Sequence, residues 1–377
     1  MKILQVTSDW KWTGPAEPML RLALALRDRG HEVALAAPEP LRPSGRSLVS
    51  EARAAGLAPS LAFAPGRGLA LPRDARDALA LRRFVAAHGV EVVHAWHTRD
   101  HLLAVAATAG RRKQTAIVRS LRTADPPSAA PWTRWLLGPA TDALVCVSPG
   151  SAERWRPLRG ARPIFGVFGA VDPTRFHSAP GDPAVRESLG LKPEHRVVGI
   201  VARVQPHRRF DLVLKAALEL FRVDRAARLI VIGRGTRHAE LVQEPAIRLG
   251  IADRVVFAGY RTEDYAEILR TIDVFTMLVP GSDGTCRALL EAAACGVPAV
   301  VSSRGALPEL VVHGVTGLVV PETSNALAEA WGALLQDSER RAALGKAAAD
   351  RAQRLFVPER FAAEIEAIYA AALRGPS

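Results

Sequence analysis

The feature that most constrains this chain is the alternation of short apolar runs with amphipathic segments along almost its whole length. Such alternation is typical of α/β proteins with parallel sheets, because each strand is followed by a helix that packs on the sheet. Strands are predicted at Lys2–Thr7, Glu32–Ala37, Val90–His94, Ala116–Ser120, Ala143–Val147, Pro163–Val167, Val197–Ala202, Leu229–Gly233, Val255–Ala258, Val274–Leu278, Ala299–Ser302 and Leu318–Val320. Helices are predicted at Ala16–Arg29, Leu212–Phe221, Glu240–Leu249, Asp264–Thr271, Arg287–Cys295, Asn325–Gln336, Glu339–Arg354 and Pro358–Leu373.

The 377 residues are enough for two doubly wound domains. A proline-rich stretch of weak apolar periodicity separates the two sets of strands, and we place a linker at residues 176–194. The predicted N-terminal domain is then 1–175 and the C-terminal domain 195–355, followed by a helical segment at 356–377. In open α/β sheets, ligands bind at the carboxyl ends of the strands, so we expect functional residues directly after strands.

Composition excludes several other classes of protein. Apolar residues make up 49% of the chain and charged residues 23%, values that argue against a disordered, collagen-like or coiled-coil chain. The three cysteines, Cys146, Cys286 and Cys295, are spaced neither as a disulfide framework nor as a zinc site. The first residues predict a strand and lack the pattern of a signal peptide, so we expect a cytoplasmic protein.

The net charge of +12 is less informative than it looks. A basic surface can indicate nucleic acid, a membrane or an anionic substrate. Only six of the fifty basic residues are lysine, and an excess of arginine beside abundant alanine is also what a GC-rich genome produces. No nucleic-acid recognition motif accompanies the charge, and we predict no nucleic-acid partner.

The most informative block runs from Val279 to Val301, where a predicted strand leads through a polar, Gly-containing loop into a helix. Free backbone N–H groups at such a helix start can hold a phosphate. Asp283 and Glu291 are eight residues apart, and Arg287 and Glu291 share one helix face. From spacing alone, an ordinary strand–loop–helix with a surface ion pair between Arg287 and Glu291 remains an alternative.

This block resembles the E-x(7)-E motif of family four retaining glycosyltransferases, which have the GT-B fold of two doubly wound Rossmann-like domains facing a cleft. Their form is close to E-G-F-G-x-x-x-x-E-A-M-A-C-G-x-P-V-V, and this chain has D-G-T-C-R-A-L-L-E-A-A-A-C-G-V-P-A-V. Asp283 replaces the first Glu, and Thr285-Cys286 replaces Phe-Gly. The resemblance implies that Asp283, Gly284, Thr285, Cys286, Arg287 and Glu291 bind the sugar donor.

A second block, Val201 to Asp211, is similar to the family's G-R-x-x-x-x-K-G-x-D, whose Arg and Lys bind the donor diphosphate. Arg203 matches the Arg, Arg208 takes the Lys position and Arg209 replaces the Gly. Arginine still binds phosphate, through a bidentate fork. We also expect Asp211 to cap the helix that follows.

Further segments extend the resemblance over nearly the whole chain. Val231–Gly235, which contains Gly233, is similar to the family's V-G-x-G-P turn, with Arg234 where an acid is common. Phe257–Tyr260, which contains Gly259, resembles the segment whose backbone meets the nucleotide base. In this fold the last helix crosses back to the N-terminal domain, as we expect of 356–377.

The N-terminal half matches more loosely, as expected if it binds variable acceptors. Gly14 stands in the family's Gly-Gly loop, of which one glycine remains. Val93–His97 resembles V-H-x-H, which places His97 where the family contacts the donor sugar. A lone histidine is more often structural, and that interpretation of His97 and His94 stays open.

The resemblance implies a metal-independent, retaining glycosyltransferase that moves a sugar from a nucleotide diphosphate sugar to a hydroxyl acceptor, with no cofactor. His97, Asp283, Arg203 and Arg208 would act at the reaction centre. A double displacement through a carboxylate nucleophile and a same-face substitution are both open, and the family favours the second. The alternatives are a catalytically silent nucleotide-sugar-binding protein and a sugar-nucleotide epimerase.

The family's habits imply a glycan or glycolipid acceptor in bacterial surface glycan or lipopolysaccharide assembly. Basic clusters in the N-terminal half would then contact the anionic inner face of the membrane if the acceptor is lipid-linked. These clusters are Arg82-Arg83, Arg111-Arg112-Lys113 and Arg119 with Arg122. A solvated basic face is the competing interpretation.

Overall fold

The computed structural model describes residues 1–12, 16–40, 46–66, 68–123, 126, 130–160, 162–281 and 284–375. The chain forms two compact units. Unit 1 takes in Met1–Gly169, Ser282–Gly284 and Pro358–Ser377, and unit 2 takes in Ala170–Gly281 and Thr285–Val357. Each unit contains one parallel sheet with helices packed on it, so the predicted pair of Rossmann-like α/β domains is confirmed.

The sheet of unit 1 has the strand order β3-β2-β1-β4-β5-β6-β7, and all its strand pairs are parallel. Its strands are β1 (Lys2–Val6), β2 (Glu32–Pro38), β3 (Leu61–Phe63), β4 (Val92–Ala95), β5 (Ala116–Ser120), β6 (Ala143–Cys146) and β7 (Ile164–Gly166). The helices between them are α1 (Ala16–Asp28), α2 (Leu48–Ala54), α3 (Leu71–His88), α4 (Thr98–Thr108), α5 (Pro131–Leu137) and α6 (Pro149–Arg159). The short strand β3 was not predicted.

The sheet of unit 2 has the order β10-β9-β8-β11-β12-β13 and is also parallel. Its strands are β8 (Arg196–Val201), β9 (Ala227–Ile232), β10 (Val255–Gly259), β11 (Val274–Met277), β12 (Ala299–Val301) and β13 (Gly317–Val319). Its helices are α7 (Pro183–Ser188), α8 (Phe210–Val223), α9 (Glu244–Arg248), α10 (Tyr265–Arg270), α11 (Arg287–Ala294), α12 (Leu307–Leu310), α13 (Ser324–Gln336) and α14 (Ser338–Leu355). The helix predicted over Glu240–Leu249 begins as a π-helical turn, Ala239–Gln243, before α9.

The segment that the sequence predicts as a linker, 176–194, lies within unit 2 and contains α7. The Asp182 side chain caps this helix by accepting a hydrogen bond from the Ala184 N–H at 2.8 Å. Arg186 on the helix donates to the Thr271 carbonyl at 3.2 Å, which attaches the segment to the end of α10.

Both sheets bury continuous apolar strands, as parallel sheets covered on two faces require. The core of unit 1 joins the central strands to α3 and α4 through residues such as Leu4, Val93 and Val85. The core of unit 2 is built around Trp331 of α13, whose indole N–H donates to Thr276 at 3.3 Å.

The last helix, α15 (Pro358–Arg374), belongs to unit 1, where it packs on α1, β5 and β6. Its Tyr369 enters a buried hydrogen-bond chain among the central strands. The Trp96 indole N–H donates to the side-chain oxygen Oε1 of Gln5 at 2.7 Å, and Nε2 of Gln5 donates to the Tyr369 hydroxyl at 3.0 Å. The Tyr369 hydroxyl lies 2.7 Å from Nδ1 of His94, and we assign the hydroxyl as donor because it already accepts from Gln5. Burial lowers the pKa of His94 to about 3, so its ring is neutral and its role is structural.

Candidate active site

Each sheet has one point where the chain reverses its direction of strand addition. In unit 1 this switch point lies between β1 and β4, and in unit 2 it lies between β8 and β11. Ligands of open α/β sheets bind at the carboxyl ends of the strands flanking this point. In both units the loops after these two strands are tied to each other by hydrogen bonds from predicted site residues.

In unit 1 the tie involves His97, which follows β4 and forms the N-cap of α4. Its Nδ1 lies 3.0 Å from the Asp100 carboxylate and 3.3 Å from the hydroxyl of Thr7, which follows β1. Asp100 is fully buried; it also accepts from the His97 backbone N–H at 2.8 Å and from the Ser8 hydroxyl.

This arrangement fixes the tautomer of His97. A carboxylate accepts hydrogen bonds only, so we assign the ring proton to Nδ1, which leaves a lone pair on Nε2. Nε2 is buried, and no group among the described residues bonds it. A small recess beside the ring is lined by Thr7, Asp9, Ala16, Met19, Trp96 and His97. His97 therefore offers an oriented acceptor at the switch point.

Two arginines lie near the end of β5, Arg119 within the strand and Arg122 just after it. Arg119 is buried, and burial lowers its pKa to about 10 while the nearby Asp100 carboxylate opposes that change. The Arg122 guanidinium lies over the Trp96 ring, 4.8 Å from its centroid. The edge thus carries positive charge beside His97. Gly14, the other predicted residue of this half, lies outside the described residues.

In unit 2, Arg203 and Arg208 follow β8. Arg203 is exposed on the loop, whereas Arg208 ends a short 3₁₀ helix, Pro206–Arg208, and is buried. The Arg208 Nη1 donates to the carbonyls of Val279 and Pro280, at 3.1 and 2.6 Å, in the loop after β11. Arg208 therefore holds the second strand loop of the switch point while placing a charge there.

Helix α8 begins differently from the prediction. Its N-cap is Arg209, in the left-handed conformation with φ of 60°, and Asp211 lies within the first turn instead of capping it. Such a φ is typical of glycine, which is the family's residue at this position. The Arg209 side chain donates to Glu322 at 2.9 Å, and Glu322 also accepts from Arg304 at 2.7 Å.

Helix α11 begins in the same unusual way. Its N-cap, Cys286, is buried and has φ of 53°, again where the family has glycine. The preceding Gly284 also has a positive φ, 65°, and Thr285 connects the two. Among the described residues, Arg209 and Cys286 are the only non-glycine residues with positive φ. Asp283, the predicted sugar-binding carboxylate, lies outside the described residues.

The carboxylate of Glu291 is buried on α11, with 5% of its side chain exposed. It accepts from the Tyr265 hydroxyl at 2.9 Å, and Arg287 Nε lies 3.2 Å from its other oxygen. The ion pair expected from the i, i+4 spacing forms, but its carboxylate is not on the surface. Burial and the Glu291 charge raise the pKa of Tyr265 well above its usual value, so the phenol remains a donor.

Gly233, Gly259 and Tyr260 lie at the carboxyl ends of β9 and β10. The Gly233 N–H donates to the Gly259 carbonyl at 2.8 Å. A Cβ on Gly233 would lie 2.1 Å from the Ala202 carbonyl oxygen, so the close approach of these loops requires glycine. Tyr260 is 57% exposed, and the Arg234 guanidinium lies 4.4 Å from its ring centroid.

Sequence reasoning missed Thr7, Ser8, Asp100 and Tyr265. The spacing of His97 and Asp100, three residues apart at a helix start, is a capping-box signal that could have identified Asp100. No local signal pairs Tyr265 with Glu291. The described residues contain no cluster of three or more His, Cys, Asp or Glu side chains placed to hold a metal ion. None of their helices is long and apolar enough to span a membrane.

Two family models match the chain and together cover most of it. Residues 14–175 match "Glycosyltransferase Family 4", and residues 182–351 match "Glycosyl transferases group 1". The chain is also similar to curated proteins. It is 36% identical over 206 residues to a D-inositol 3-phosphate glycosyltransferase of Segniliparus rotundus, covering 52% of this chain and 44% of that protein.

A GDP-mannose-dependent alpha-(1-6)-phosphatidylinositol monomannoside mannosyltransferase of Mycolicibacterium smegmatis is 34% identical over 221 residues, covering 56% of this chain and 57% of that protein. The chain thus spans about half the length of the curated relatives it matches. The crystal structure of Anabaena HepE with UDP and glucose has the same fold, with a TM-score of 0.79, 20% identity, and coverage of 98% of this chain and 99% of that one. With both halves matched by glycosyltransferase models and the fold shared across the chain, this protein belongs to the GT-B-fold glycosyltransferases of the family four type.

Proposed function

We propose that this protein transfers a sugar from a nucleoside diphosphate sugar to a hydroxyl acceptor, with retention of the anomeric configuration. The observation that carries the proposal is the buried carboxylate of Glu291, placed one turn into the helix that follows the switch-point strand β11. A buried carboxylate that accepts from Tyr265 and pairs with Arg287 is oriented and charged, as a ribose-diol receptor must be. The names of matched proteins that include GDP-mannose, or UDP with glucose, fit this donor class.

The donor diphosphate would lie beside Arg203 and Arg208. Negative charge on the leaving diphosphate grows as the glycosidic bond breaks, and fixed cations stabilise it most at that stage. Arg208 is fixed by the Val279 and Pro280 carbonyls, so little reorganisation is needed during the reaction. The start of α11 adds backbone N–H groups that favour an anion.

The proposed contacts to the donor sugar rest on the sequence motifs. We assign Asp283 and the backbone N–H groups of Gly284 to Arg287 to the sugar hydroxyls, on the basis of the sequence motif. Nε2 of His97 would accept a hydrogen bond from a sugar hydroxyl, in keeping with the assigned tautomer. Gly14, Gly233, Gly259 and Tyr260 would line the rest of the donor site.

The reaction we propose is a same-face substitution. The bond between the anomeric carbon and the diphosphate oxygen breaks, the acceptor oxygen forms its new bond on that same face, and the departing diphosphate takes the acceptor proton. The protein supplies position and charge stabilisation. Because arginines stabilise the diphosphate in this scheme, we propose that the transfer needs no metal ion and no cofactor.

Unit 1 would bind the acceptor, a glycan or glycolipid hydroxyl. Arg119 and Arg122 place positive charge at the carboxyl edge of its sheet, which favours an acceptor that carries phosphate. The matched relatives are named for inositol 3-phosphate and phosphatidylinositol mannoside acceptors. These names point toward inositol-containing acceptors more than toward lipopolysaccharide as the setting.

A cytoplasmic protein in peripheral contact with an anionic membrane remains part of the proposal. Arg82 on α3 donates to the Ala109 carbonyl at 3.0 Å, shortly before Arg111 and Lys113 in the chain. Arg119 is buried and does not belong to that surface. Sedimentation with anionic vesicles that weakens with salt is the expected behaviour, and equal sedimentation with neutral vesicles would remove the membrane from the proposal.

The function is tested by titration calorimetry with nucleoside diphosphates and by a transfer assay on the same protein. Glu291→Ala should weaken nucleotide binding about ten- to a hundredfold, because charge-assisted hydrogen bonds are worth about 1.5–3 kcal/mol. Glu329→Ala, at an exposed position of α13, is the matched control and should leave binding unchanged.

The outcomes separate the alternatives. Normal nucleotide affinity in folded Glu291→Ala would reject the ribose assignment. Nucleotide binding without transfer to any acceptor would favour a silent sugar-nucleotide-binding protein. Conversion of the donor sugar, or release of free nucleotide without an acceptor, would favour a sugar-nucleotide epimerase.

A further inference from the structure

The exposed stack of Arg234 on Tyr260 lies next to the loop that holds Arg203 and Arg208. The Val204 N–H donates to the Arg234 carbonyl at 3.1 Å, and the Gly233 N–H donates to the Gly259 carbonyl at 2.8 Å. These bonds join the ends of β8, β9 and β10 into one continuous rim. Arg234 is thus one strand away from the proposed diphosphate site, and Tyr260 is one strand further.

The same rim is also connected to the proposed ribose site through the segment that follows β10. Tyr260 begins the segment that ends at Tyr265, and the Tyr265 hydroxyl donates to Glu291 at 2.9 Å. A nucleotide with its ribose on Glu291 and its diphosphate on Arg203 and Arg208 therefore has the Tyr260 end of the rim available for its base. This step rests on the proposed function.

The chemistry of the stack differs from that of a plain aromatic platform. The guanidinium is planar, always charged and lies 4.4 Å from the Tyr260 ring centroid, while Tyr260 stays 57% exposed. Arginine carries hydrogen-bond donors only. Guanine presents two neighbouring acceptors, O6 and N7, to such a fork, and uracil presents the O4 acceptor; adenine and cytosine carry amino donors at the equivalent places.

We propose that Arg234, held over Tyr260, selects a donor whose base carries carbonyl acceptors, with guanine preferred over uracil and both preferred over adenine and cytosine. Tyr260 supplies stacking, which does not distinguish bases because every base has a π-face. Arg234 supplies the discrimination. The position held by an acid in similar sequences is thereby a specificity determinant in this chain.

The test is a set of dissociation constants for GDP, UDP, ADP and CDP, measured by calorimetry on the full chain. The unmodified protein should bind GDP at least about tenfold more tightly than ADP and CDP, the scale of a bidentate base contact, with UDP between them. Arg234→Ala should bring the four constants within about threefold of each other. Arg222→Ala, an exposed arginine of α8 paired with Glu219, is the matched control and should keep the ratio.

Two further variants sharpen the result. Arg234→Lys keeps the charge but loses the fork, so it should lose the preference for GDP over UDP. Tyr260→Ala should weaken all four nucleotides. ADP or CDP binding as tightly as GDP, or an unchanged ratio in Arg234→Ala, would overturn the assignment of Arg234. Failure of the unmodified protein to bind any of the four would overturn the proposed function itself.

Discussion

At the switch point of unit 1, the two strand ends carry two hydroxyls, a histidine and a fully buried carboxylate: Thr7, Ser8, His97 and Asp100. At the equivalent point of unit 2, they carry Arg203 and the buried Arg208, next to a helix start. The same topology therefore places a histidine–carboxylate pair at the strand ends of one unit and a buried arginine at those of the other. Topology decides where such side chains gather, and the few residues after the strands decide their chemistry.

The difference between the two units is tested most directly by removing the Arg208 cation of unit 2. Arg208→Ala should lower kcat about a hundred- to a thousandfold and raise the donor KM less, because the cation acts chiefly on the leaving group. A loss confined to KM would make Arg208 a ground-state binder. Since Arg208 also holds the Val279 and Pro280 carbonyls, the melting temperature should be followed, with Arg208→Lys as the conservative control.

We expect acid to destabilise unit 1 more than unit 2, because of the buried histidines of unit 1. Burial holds the pKa of His94 at about 3 and that of His101 well below 6.5, so the folded state keeps both rings neutral. The unfolded chain binds protons below about pH 6.5; this stability is therefore complete above that pH and is lost as pH falls toward 3. At pH 5.5 the two rings together should cost unit 1 about 3 kcal/mol.

In unit 2, burial also lowers the pKa of His195 and His207, but neither ring is as completely enclosed. Hydrogen exchange of peptides from each unit, at pH 7 and pH 5.5, measures the difference. A protein with both His94→Gln and His101→Gln should lose less stability on acidification. Equal acid sensitivity of the two units would contradict the prediction.

The positioning role of Asp100 in unit 1 predicts a smaller effect than the loss of Arg208. Asp100→Asn can donate to Nδ1 and favour the other tautomer, which removes the acceptor on Nε2. We expect kcat to fall about tenfold or more, while nucleoside diphosphate affinity, a property of unit 2, stays within about twofold. Ser8→Ala, which leaves the His97–Asp100 bond in place, should have a weaker effect. Equal losses in kcat and nucleotide affinity would mean that Asp100 only supports the fold.

The smallest expected effect concerns backbone strain, which the described residues place in unit 2 alone. A non-glycine residue in the left-handed conformation destabilises the folded state by about 1–2 kcal/mol. Glycine removes that penalty, but it loses more backbone freedom on folding, which offsets about 0.5–1 kcal/mol of the gain. Both Cys286→Gly and Cys286→Ala lose the buried thiol, so Cys286→Gly should be more stable than Cys286→Ala by up to about 1 kcal/mol, seen as a melting-temperature difference of about 2–4 °C. Cys286→Ala keeps the strain and should not gain; equal behaviour of the two variants would argue that Cys286 stores no strain.

The strands of both sheets were predictable because each is a buried apolar run between polar segments. The strand β3 was missed, since three residues, Leu61–Phe63, carry too little pattern to stand out. Helix α3 was also missed, because only Asp77, Leu81 and Val85 of its 18 residues are buried and its apolar stripe is correspondingly thin.

The site shows a similar division. Arg203, Arg208, Glu291 and His97 follow strands or lie in helix starts, so local motifs identify them. Their partner Tyr265 is determined by packing between elements, which a linear pattern does not record, whereas Asp100 carries a capping-box signal that was not used. The left-handed backbone at Arg209 and Cys286 was also missed, although glycine at both places in the resembling motifs was a usable signal.

The hydrogen bond between Gln5 and Tyr369 has a consequence for folding during synthesis. Gln5 and Tyr369 are 364 residues apart, a stretch that a ribosome needs about 20–70 s to synthesise. Until then, the side-chain NH2 of Gln5 and Nδ1 of His94 lack the hydroxyl that they bond in the finished chain, at about 1–3 kcal/mol for each unsatisfied group. We expect nascent chains stopped before Pro358 to show faster hydrogen exchange in β1 and β4 than the full chain, and equal rates would contradict this. The unit that leaves the ribosome first is thus the last to mature.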